Sequence, residues 1–180
     1  MQRVKIRDIR NAEFIEATLQ AVHKHGLGAV TMSEIAQETG ATAASINYYF
    51  GSKERLMEAT MRHLLGLLRA AVVRNLTTAD TPLDRLYATL DANFDDQLFT
   101  AEKCSVWVQF WAAAPYAPAL ARLHRLNRAR VANHFRHDLR PLVDKDRAAT
   151  IRQTLQYYMD GVWLNTAQNE LAANPQQARR

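Results

Sequence analysis

Residues 31–50 read TMSEIAQETGATAASINYYF and carry the strongest structural signal in the chain. Thr31 and Glu34 have the spacing of a capping box, which predicts the start of a short helix. Thr42 is placed to cap a second short helix. The small Ala36 allows two helices to cross closely, and Gly40 supplies the positive φ of a tight turn. The pattern predicts a helix-turn-helix that reads DNA in the major groove, with a generic helical hairpin as the alternative.

An amphipathic run precedes this motif. Its apolar face carries Ile9, Phe14, Ala17, Ala21 and Val22, and Gly26 is its predicted C-cap. The first ten residues are basic, with Arg3, Lys5, Arg7 and Arg10. This arm either contacts DNA or is a solvated tail, and the sequence leaves both readings open.

The chain after residue 50 has only helical patterns. Ser52 is the predicted N-cap of a long helix that ends near Leu76. Thr81 or Asp80 caps the next helix, on which we expect Leu83, Leu86, Tyr87, Leu90 and Phe94 to face inward. Further helices are predicted over 101–114, 118–139 (with Leu126 inward) and 145–168, and Asn174-Pro175-Gln176 has the form of another helix start. We therefore predict an all-α protein, in which a three-helix DNA-binding head (residues 1–52) is joined by a long helix to a ligand-binding and dimerisation body (residues 53–180).

The composition excludes several classes of protein. Hydrophobic residues make up 48% of the 180 residues, enough for a core, and the net charge of +5 suits an anionic partner. The lone Cys104 cannot form an internal disulfide, and the chain has neither a signal peptide nor an apolar run of about 20 residues, so we expect a cytoplasmic protein without a membrane span. It has no nucleophile motif or phosphate loop, and His134 and His137 lack a third ligand. We therefore expect no enzyme activity, no metal and no cofactor.

The head contains residues 40–50, GATAASINYYF, followed by Ser52-Lys53-Glu54-Arg55-Leu56. This stretch resembles the signature of the TetR family of transcriptional repressors. The resemblance implies that Phe50 packs into the head and that Lys53 holds a phosphate. Ala43 and Ala44 replace the longer side chains of many relatives and suit contact with thymine methyl groups. The predicted DNA-binding residues are Thr31, Ser33, Thr42, Ala43, Ala44, Asn47, Tyr48, Tyr49 and Lys53.

Aromatic and acidic residues recur at helical spacing in the body. Trp107 and Trp111 lie four apart and share a helix face, with Phe110 alongside. Tyr157, Asp160 and Trp163 are spaced three apart on another helix, and Asp91 and Asp95 flank Phe94 on a third. Rings beside carboxylates form a cage for a quaternary ammonium. Aromatic residues at this spacing also fill ordinary cores, and the residues alone do not decide between the two readings.

The body contains four further motifs, which are Met57–Arg62, Asn93-Phe94-Asp95, Trp107 with Phe110-Trp111-Ala112, and Asp160–Leu164. They are similar to motifs of the choline-responsive repressors of glycine betaine synthesis, a TetR subfamily. The resemblance implies a homodimeric repressor that a small inducer, choline or another quaternary ammonium, releases from double-stranded operator DNA. The candidate ligand residues are Phe94, Asp95, Trp107, Phe110, Trp111, Tyr157, Asp160 and Trp163.

Three further predictions concern surfaces and rival functions. The candidate dimer helices are Arg122–Leu139 and Ala148–Gln168. The arginines of residues 122–140 form a solvated face or meet acids of a neighbouring helix, with a second nucleic-acid surface as the alternative. The rival functions are a TetR-type repressor of an efflux or catabolic operon with another cationic or aromatic ligand, and a helical adaptor or enzyme.

Overall fold

The computed structural model describes residues 2–168 and 174–179, with side chains from residue 6 onward. Its helices are α1 (Gln2–His25), α2 (Met32–Gln37), α3 (Ala43–Phe50), α4 (Lys53–Leu76), α5 (Pro82–Ala92), α6 (Ala101–Ala113), α7 (Pro118–Leu139), α8 (Lys145–Gln168) and α9 (Pro175–Ala178), with a 3-10 turn at Ala114–Tyr116. The described residues contain no strand, so the all-α prediction is confirmed. The Arg3 and Lys5 side chains of the basic arm lie outside the described residues.

Local capping sets the boundaries of the head helices. The Thr31 hydroxyl accepts from the Glu34 N–H at 3.2 Å, while the Glu34 carboxylate accepts from the Thr31 N–H at 2.6 Å. The predicted capping box is therefore present, and these hydrogen bonds hold the pKa of Glu34 below its usual value. The Thr42 hydroxyl accepts from the Ser45 N–H at 3.1 Å and starts α3.

The turn between α2 and α3 has the predicted geometry. Gly40 has φ +64°, a conformation that other residues rarely adopt, and the Ala41 N–H donates to the Ala36 carbonyl at 3.0 Å. Ala36 is buried at this crossing. The head core contains Phe14, Ile35 and Ile46, which are almost fully buried.

The long helix α4 joins the head to the body. Ser52 caps it by accepting from the Arg55 N–H at 3.3 Å, and its buried face includes Leu56, Leu64 and Leu68. Helices α5 and α7 pack against α4, and α6 packs between α1 and α8. Because α6 contacts both α1 of the head and α8 of the body, it is placed to transmit a movement between them.

Four apolar residues predicted to face inward are exposed instead. They are Ile9, Leu83, Tyr87 and Leu126. On α5 the buried face runs through Leu86 and Thr89, so Leu83 and Tyr87 lie on the neighbouring face. Phe94 is buried as predicted, although α5 ends before it at Ala92.

Among the described residues, no helix combines the length and apolar character needed to cross a lipid bilayer.

Candidate DNA-binding surface and ligand cavity

The outer face of the head carries most of the predicted DNA-binding side chains. Asn47 and Tyr48 are exposed on α3, and Tyr48 has 83% of its surface accessible. Ser33 and Ala44 are also exposed, whereas Ala43 is half-buried. Thr31 and Thr42 are exposed, although their hydroxyl groups already cap α2 and α3. This face offers amide, phenol and methyl groups, which suit contacts with base edges and phosphates.

The two aromatic residues at the end of α3 turn back toward the head core. Tyr49 and Phe50 are half-buried, with ring centroids 5.5 Å and 6.3 Å from that of Phe14. Phe50 therefore packs into the head, as the family resemblance implied. Tyr49 braces α3 more than it faces outward, which leaves Asn47 and Tyr48 as the main polar side chains exposed on α3.

Lys53 lies at the first position of α4, directly after its cap Ser52. A helix N-terminus presents unpaired N–H groups and a partial positive charge, both of which favour a phosphate. The ammonium of Lys53 adds a full positive charge at the same place. The structure therefore puts two phosphate-attracting features beside α3, the predicted recognition helix.

A small cavity in the body is lined by the three tryptophans of the chain. Trp107 and Trp111 come from α6 and Trp163 from α8, and the rings of Trp107 and Trp163 lie 4.9 Å apart. His124 of α7 and Asp160 of α8 also line it. We call this the aromatic cavity. Of the predicted ligand residues, the structure thus brings four together: Trp107, Trp111, Asp160 and Trp163.

The carboxylate of Asp160 already has two partners. Its Oδ2 accepts from Arg128 Nη1 at 2.8 Å, and its Oδ1 accepts from Gln156 Nε2 at 2.9 Å. Arg128 lies on α7, so the ion pair ties α7 to α8 at the wall of the aromatic cavity. The positive charge beside Asp160 is therefore supplied by Arg128, a residue of the protein itself.

Two polar groups of the cavity wall have no hydrogen-bond partner among the described residues. They are Trp107 Nε1, on a side chain only 3% exposed, and Nδ1 of His124. Burial, with Arg128 nearby, lowers the pKa of His124 and favours its neutral form. The cavity is about 20 Å³, room for about one water molecule. A larger ligand therefore requires the wall to move.

Four of the predicted ligand residues lie outside the aromatic cavity. Tyr157 is 60% exposed because steps of three residues drift around a helix, which puts it on a different side of α8 from Trp163. Phe110 is buried in the core beside, but not in, the cavity wall. Phe94 packs on Phe99 and Tyr158, and Asp95 pairs with Arg74. The predicted grouping of Asp95 with the tryptophans is thus not present, because α5 ends at Ala92 and the chain turns away.

Sequence reasoning missed the polar members of this wall. Arg128 was considered only as part of an arginine-rich stretch, and the prediction that this stretch meets acids of neighbouring helices is confirmed for Arg128 and for Arg122, which pairs with Glu58 at 3.1 Å. His124 and Gln156 had no signal at all, since no local spacing relates them to the tryptophans. Only the packing of three separate helices brings them together.

A hydrogen bond joins the wall of the aromatic cavity to the head. Gln109 lies on α6 between Trp107 and Trp111, and its Oε1 accepts from the Leu27 N–H at 2.6 Å. Its Nε2 donates to the Val22 carbonyl at 3.4 Å and to Ser105 Oγ at 3.3 Å. The turn that it holds follows Gly26, the C-cap of α1 with φ +84°. The helix that carries two cavity tryptophans is therefore attached to the turn that leads into the helix-turn-helix.

Comparison with known proteins decides the family. Residues 82–180 match the family model described as the C-terminal part of BetI-type transcriptional repressors. The chain belongs to the BetI-type group of the TetR family. Residues 14–60 of this TetR-family chain match the model described as bacterial regulatory proteins of the tetR family. Members of the family are transcriptional regulators, which confirms the prediction that the chain is not an enzyme.

Individual relatives agree with this assignment. The HTH-type transcriptional regulator BetI of Ectopseudomonas mendocina is 36% identical over 182 residues, an alignment that covers 100% of this chain and 93% of the relative. The regulator of the same name from Burkholderia mallei is 36% identical, with coverage of 97% and 89%. The resemblance to this group, first seen in the body motifs, is thereby confirmed.

Solved structures share the TetR-family fold. A putative transcriptional regulator from Pseudomonas aeruginosa is 27% identical with a TM-score of 0.72, over 96% of this chain and 86% of that chain. A putative regulator from Saccharomonospora viridis, solved in complex with choline, is 20% identical with a TM-score of 0.78, over 96% and 92% of the two chains. At 20% identity, the similarity to the Saccharomonospora viridis regulator supports the fold and not the ligand.

Proposed function

We propose that this BetI-type regulator is a homodimeric repressor that binds operator DNA through α3 and Lys53, and that a quaternary ammonium, choline in the first instance, releases it. The observation that carries the ligand assignment is the aromatic cavity, which is lined by three tryptophans and by Asp160. Ring faces attract a cation that cannot donate hydrogen bonds, and a carboxylate offsets its charge. The proposed target genes are those of glycine betaine synthesis, as the resemblance of the body motifs implied.

The unpaired Trp107 N–H favours a cation that also carries a hydrogen-bond acceptor. A buried donor without a partner costs free energy, and a ligand that supplies an acceptor recovers it. Choline carries a hydroxyl oxygen two carbons from its nitrogen, and betaine aldehyde carries a carbonyl oxygen there. Either oxygen would accept from Trp107 Nε1 while the cation lies near Asp160.

Ligand entry has to displace Arg128 from Asp160. A cavity of about 20 Å³ is too small for a trimethylammonium group, and the Arg128 guanidinium occupies the carboxylate that a cationic ligand needs. The ligand and Arg128 therefore compete for Asp160. Release of Arg128 loosens the contact between α7 and α8 and lets α6 move outward with its two tryptophans.

Movement of α6 reaches the head through Gln109. Because Gln109 holds the Val22 carbonyl and the Leu27 N–H, a shift of α6 pulls on the turn that precedes α2. In a dimer, this changes the spacing of the two recognition helices, which have to fit two half-sites about one helical turn of DNA apart. A coupling of about 1–3 kcal/mol is typical of such two-site systems.

The proposed dimer interface centres on an exposed stripe of α8. The stripe repeats at intervals of four and three residues, the spacing at which one helix packs on another, and is formed by Thr150, Thr154, Tyr157, Gly161, Leu164 and Gln168, all exposed. A side chain added at Gly161 would meet nothing within 4 Å, so a partner helix has room to approach there. The stripe carries no charge, so two copies pair without repulsion across a two-fold axis.

The exposed face of α7 is less suited to self-pairing. It carries Arg122, which pairs with Glu58, and Arg125 and Arg136, which pair with no carboxylate among the described residues. A two-fold contact through this face brings like charges together, which opposes association. We therefore give α8 the larger part of the interface, and α7 a place at its edge.

The ligand assignment is tested by calorimetric titration of the purified protein with three compounds of similar shape. They are choline, its uncharged isostere 3,3-dimethyl-1-butanol, and ethyltrimethylammonium, which lacks the hydroxyl. We expect choline to bind at least tenfold more tightly than the uncharged isostere, because a desolvated ring contributes about 2 kcal/mol to a cation. Ethyltrimethylammonium should bind with intermediate affinity.

Two variants locate the binding. Asp160→Asn should weaken choline binding, whereas Arg128→Gln should strengthen it because the competing cation is gone. Equal affinities for choline and its isostere, or no effect of either substitution, would exclude a quaternary ammonium site in the aromatic cavity. If another organic amine binds more tightly than choline, the aromatic cavity remains the proposed ligand site and that amine replaces choline as the proposed ligand.

A further inference from the structure

A second cavity adjoins the aromatic cavity along α7. It has a volume of about 370 Å³ and lies between α4, α5 and α7. Its walls are mostly apolar and include Leu68 and Val72 of α4 and Val131 of α7. A volume above about 300 Å³ is in the range of small-molecule sites.

The cavity contains a buried polar group without a partner. Thr89 of α5 is 0% exposed and lines the cavity, and its hydroxyl makes no hydrogen bond within the described residues. A threonine in a helix commonly donates to the carbonyl four residues earlier, as Thr18 and Thr60 do at 2.7 Å and 2.9 Å. Thr89 does not, so its buried hydroxyl is left without a partner at the wall of the cavity.

The cavity is also lined by two arginines. Arg69 of α4 and Arg130 of α7 are both exposed, and neither pairs with a carboxylate in the part of the chain that the structure describes. His134 lines the same cavity. Two guanidinium groups from facing helices attract a carboxylate and repel a cation such as choline.

We infer that this cavity is a binding site for a small organic carboxylate with an apolar body and a hydrogen-bonding group at its far end. The carboxylate lies between Arg69 and Arg130, the apolar body contacts Leu68, Val72 and Val131, and the far polar group bonds to the Thr89 hydroxyl. A plain fatty acid leaves Thr89 unpaired, and inorganic phosphate leaves the apolar walls uncovered. The chemistry of the walls therefore favours an aromatic or similarly compact hydroxy acid.

The two cavities share part of a wall. Asn127 and Val131 of α7 line both of them. An acid that wedges α4 from α7 therefore acts on the same helix that carries Arg128. If the proposed function is correct, the acid and the quaternary ammonium influence each other's affinity, but the acid site itself depends on neither choline nor DNA.

The test is calorimetric titration of the purified protein with three probes that share one ring. The probes are 4-hydroxyphenylacetate, phenylacetate, which lacks the phenol, and tyramine, which carries an amine in place of the carboxylate. We expect the hydroxy acid to bind, phenylacetate to bind about tenfold more weakly because it leaves Thr89 unpaired, and tyramine to show no binding at the same concentrations.

Variants of the wall locate the site. Thr89→Val should remove the difference between the two acids and raise the melting temperature, because it deletes the unpaired hydroxyl, whereas Thr89→Ser should keep the difference. The double variant Arg69→Gln, Arg130→Gln should weaken both acids at least tenfold. Arg125→Gln, an exposed arginine of α7 outside the cavity, is the matched control and should have no effect.

Three results would overturn the inference. They are the absence of binding by either acid, tyramine that binds as well as the acids, and acid binding that neither the Thr89 nor the arginine variants change. Failure of choline to bind or to release DNA would leave this result unaffected, so the two proposals fail separately.

Discussion

Gln109 on α6 accepts a hydrogen bond of 2.6 Å from the backbone N–H of Leu27, 82 residues earlier in the chain. The bond joins the body to the turn between α1 and α2. Trp107 and Trp111 lie on the same helix two residues to either side. A side chain in this position attaches the wall of the aromatic cavity to the head.

Removal of this contact should uncouple the head from the ligand. We expect Gln109→Ala to leave operator affinity without ligand within a few-fold of the parent and to reduce the effect of choline on it. The variant should also lose about 1–3 kcal/mol of unfolding free energy, because the Leu27 N–H loses its partner. Urea unfolding and operator titrations with and without choline measure both effects. Gln109→Glu keeps the acceptor for the Leu27 N–H but removes the amide N–H that donates to the Val22 carbonyl, so it tests the two hydrogen bonds separately. An undiminished choline response in Gln109→Ala would exclude the coupling role.

Lys53 should contribute to affinity without regard to base sequence. We expect Lys53→Ala to weaken binding to specific and random DNA by similar factors, because a phosphate contact carries no sequence information. A plot of log K against log salt concentration has a negative slope, and its magnitude should decrease by about 1 for each head on the DNA. Lys145→Ala, the same charge change at the start of α8, is the control. A salt slope equal to the parent's would contradict the phosphate contact.

The dimer interface should be sensitive to bulk and charge at the centre of α8. We expect Gly161→Arg to convert the dimer to a monomer in sedimentation equilibrium, because a cation on the two-fold stripe meets its own copy. Ala129→Arg places the same side chain on the exposed face of α7 and should leave the dimer intact. If Ala129→Arg dissociates the protein and Gly161→Arg does not, the interface lies on α7.

His124 should make the stability of the fold depend on pH. Burial lowers its pKa below the ordinary value of 6.5, so the unfolded chain binds a proton more readily than the folded one. The unfolding free energy should therefore fall as the pH drops below about 6.5, until the folded state is protonated too. His63, whose pKa burial also lowers, contributes with the same sign.

The variant His124→Gln isolates this contribution, since His63 is unchanged in both proteins. We expect its unfolding free energy, measured by urea at a series of pH values, to fall less steeply below pH 6.5 than that of the parent. Equal slopes would mean that His124 is protonated as readily in the folded state as in the unfolded chain.

The sequence predicted the features that local chemistry decides. The caps Thr31, Thr42, Ser52 and Thr81, and the positive φ of Gly40, depend on neighbours within a few residues, and each is found in the structure. The start of α7 at Pro118 and the bounds of α8 follow from the same kind of local signal.

The sequence did not predict contacts between distant segments. Arg128 and Asp160 are 32 residues apart, and their pairing depends on how α7 crosses α8. Helical spacing also misplaced Tyr157, because residues three apart share a face over only one turn. Which residues line a cavity depends on how helices pack, and the aromatic cavity is formed only where α6, α7 and α8 meet.

Release of the operator by choline is tested most directly by the affinity of the protein for its operator at fixed salt, with and without choline at a concentration that saturates the calorimetric titration. We predict that choline raises the Kd for the operator about 5- to 150-fold, as expected for a coupling of about 1–3 kcal/mol. Asp160→Asn should show little change at the same concentration. An operator Kd that saturating choline leaves unchanged in the parent protein would contradict release by this ligand.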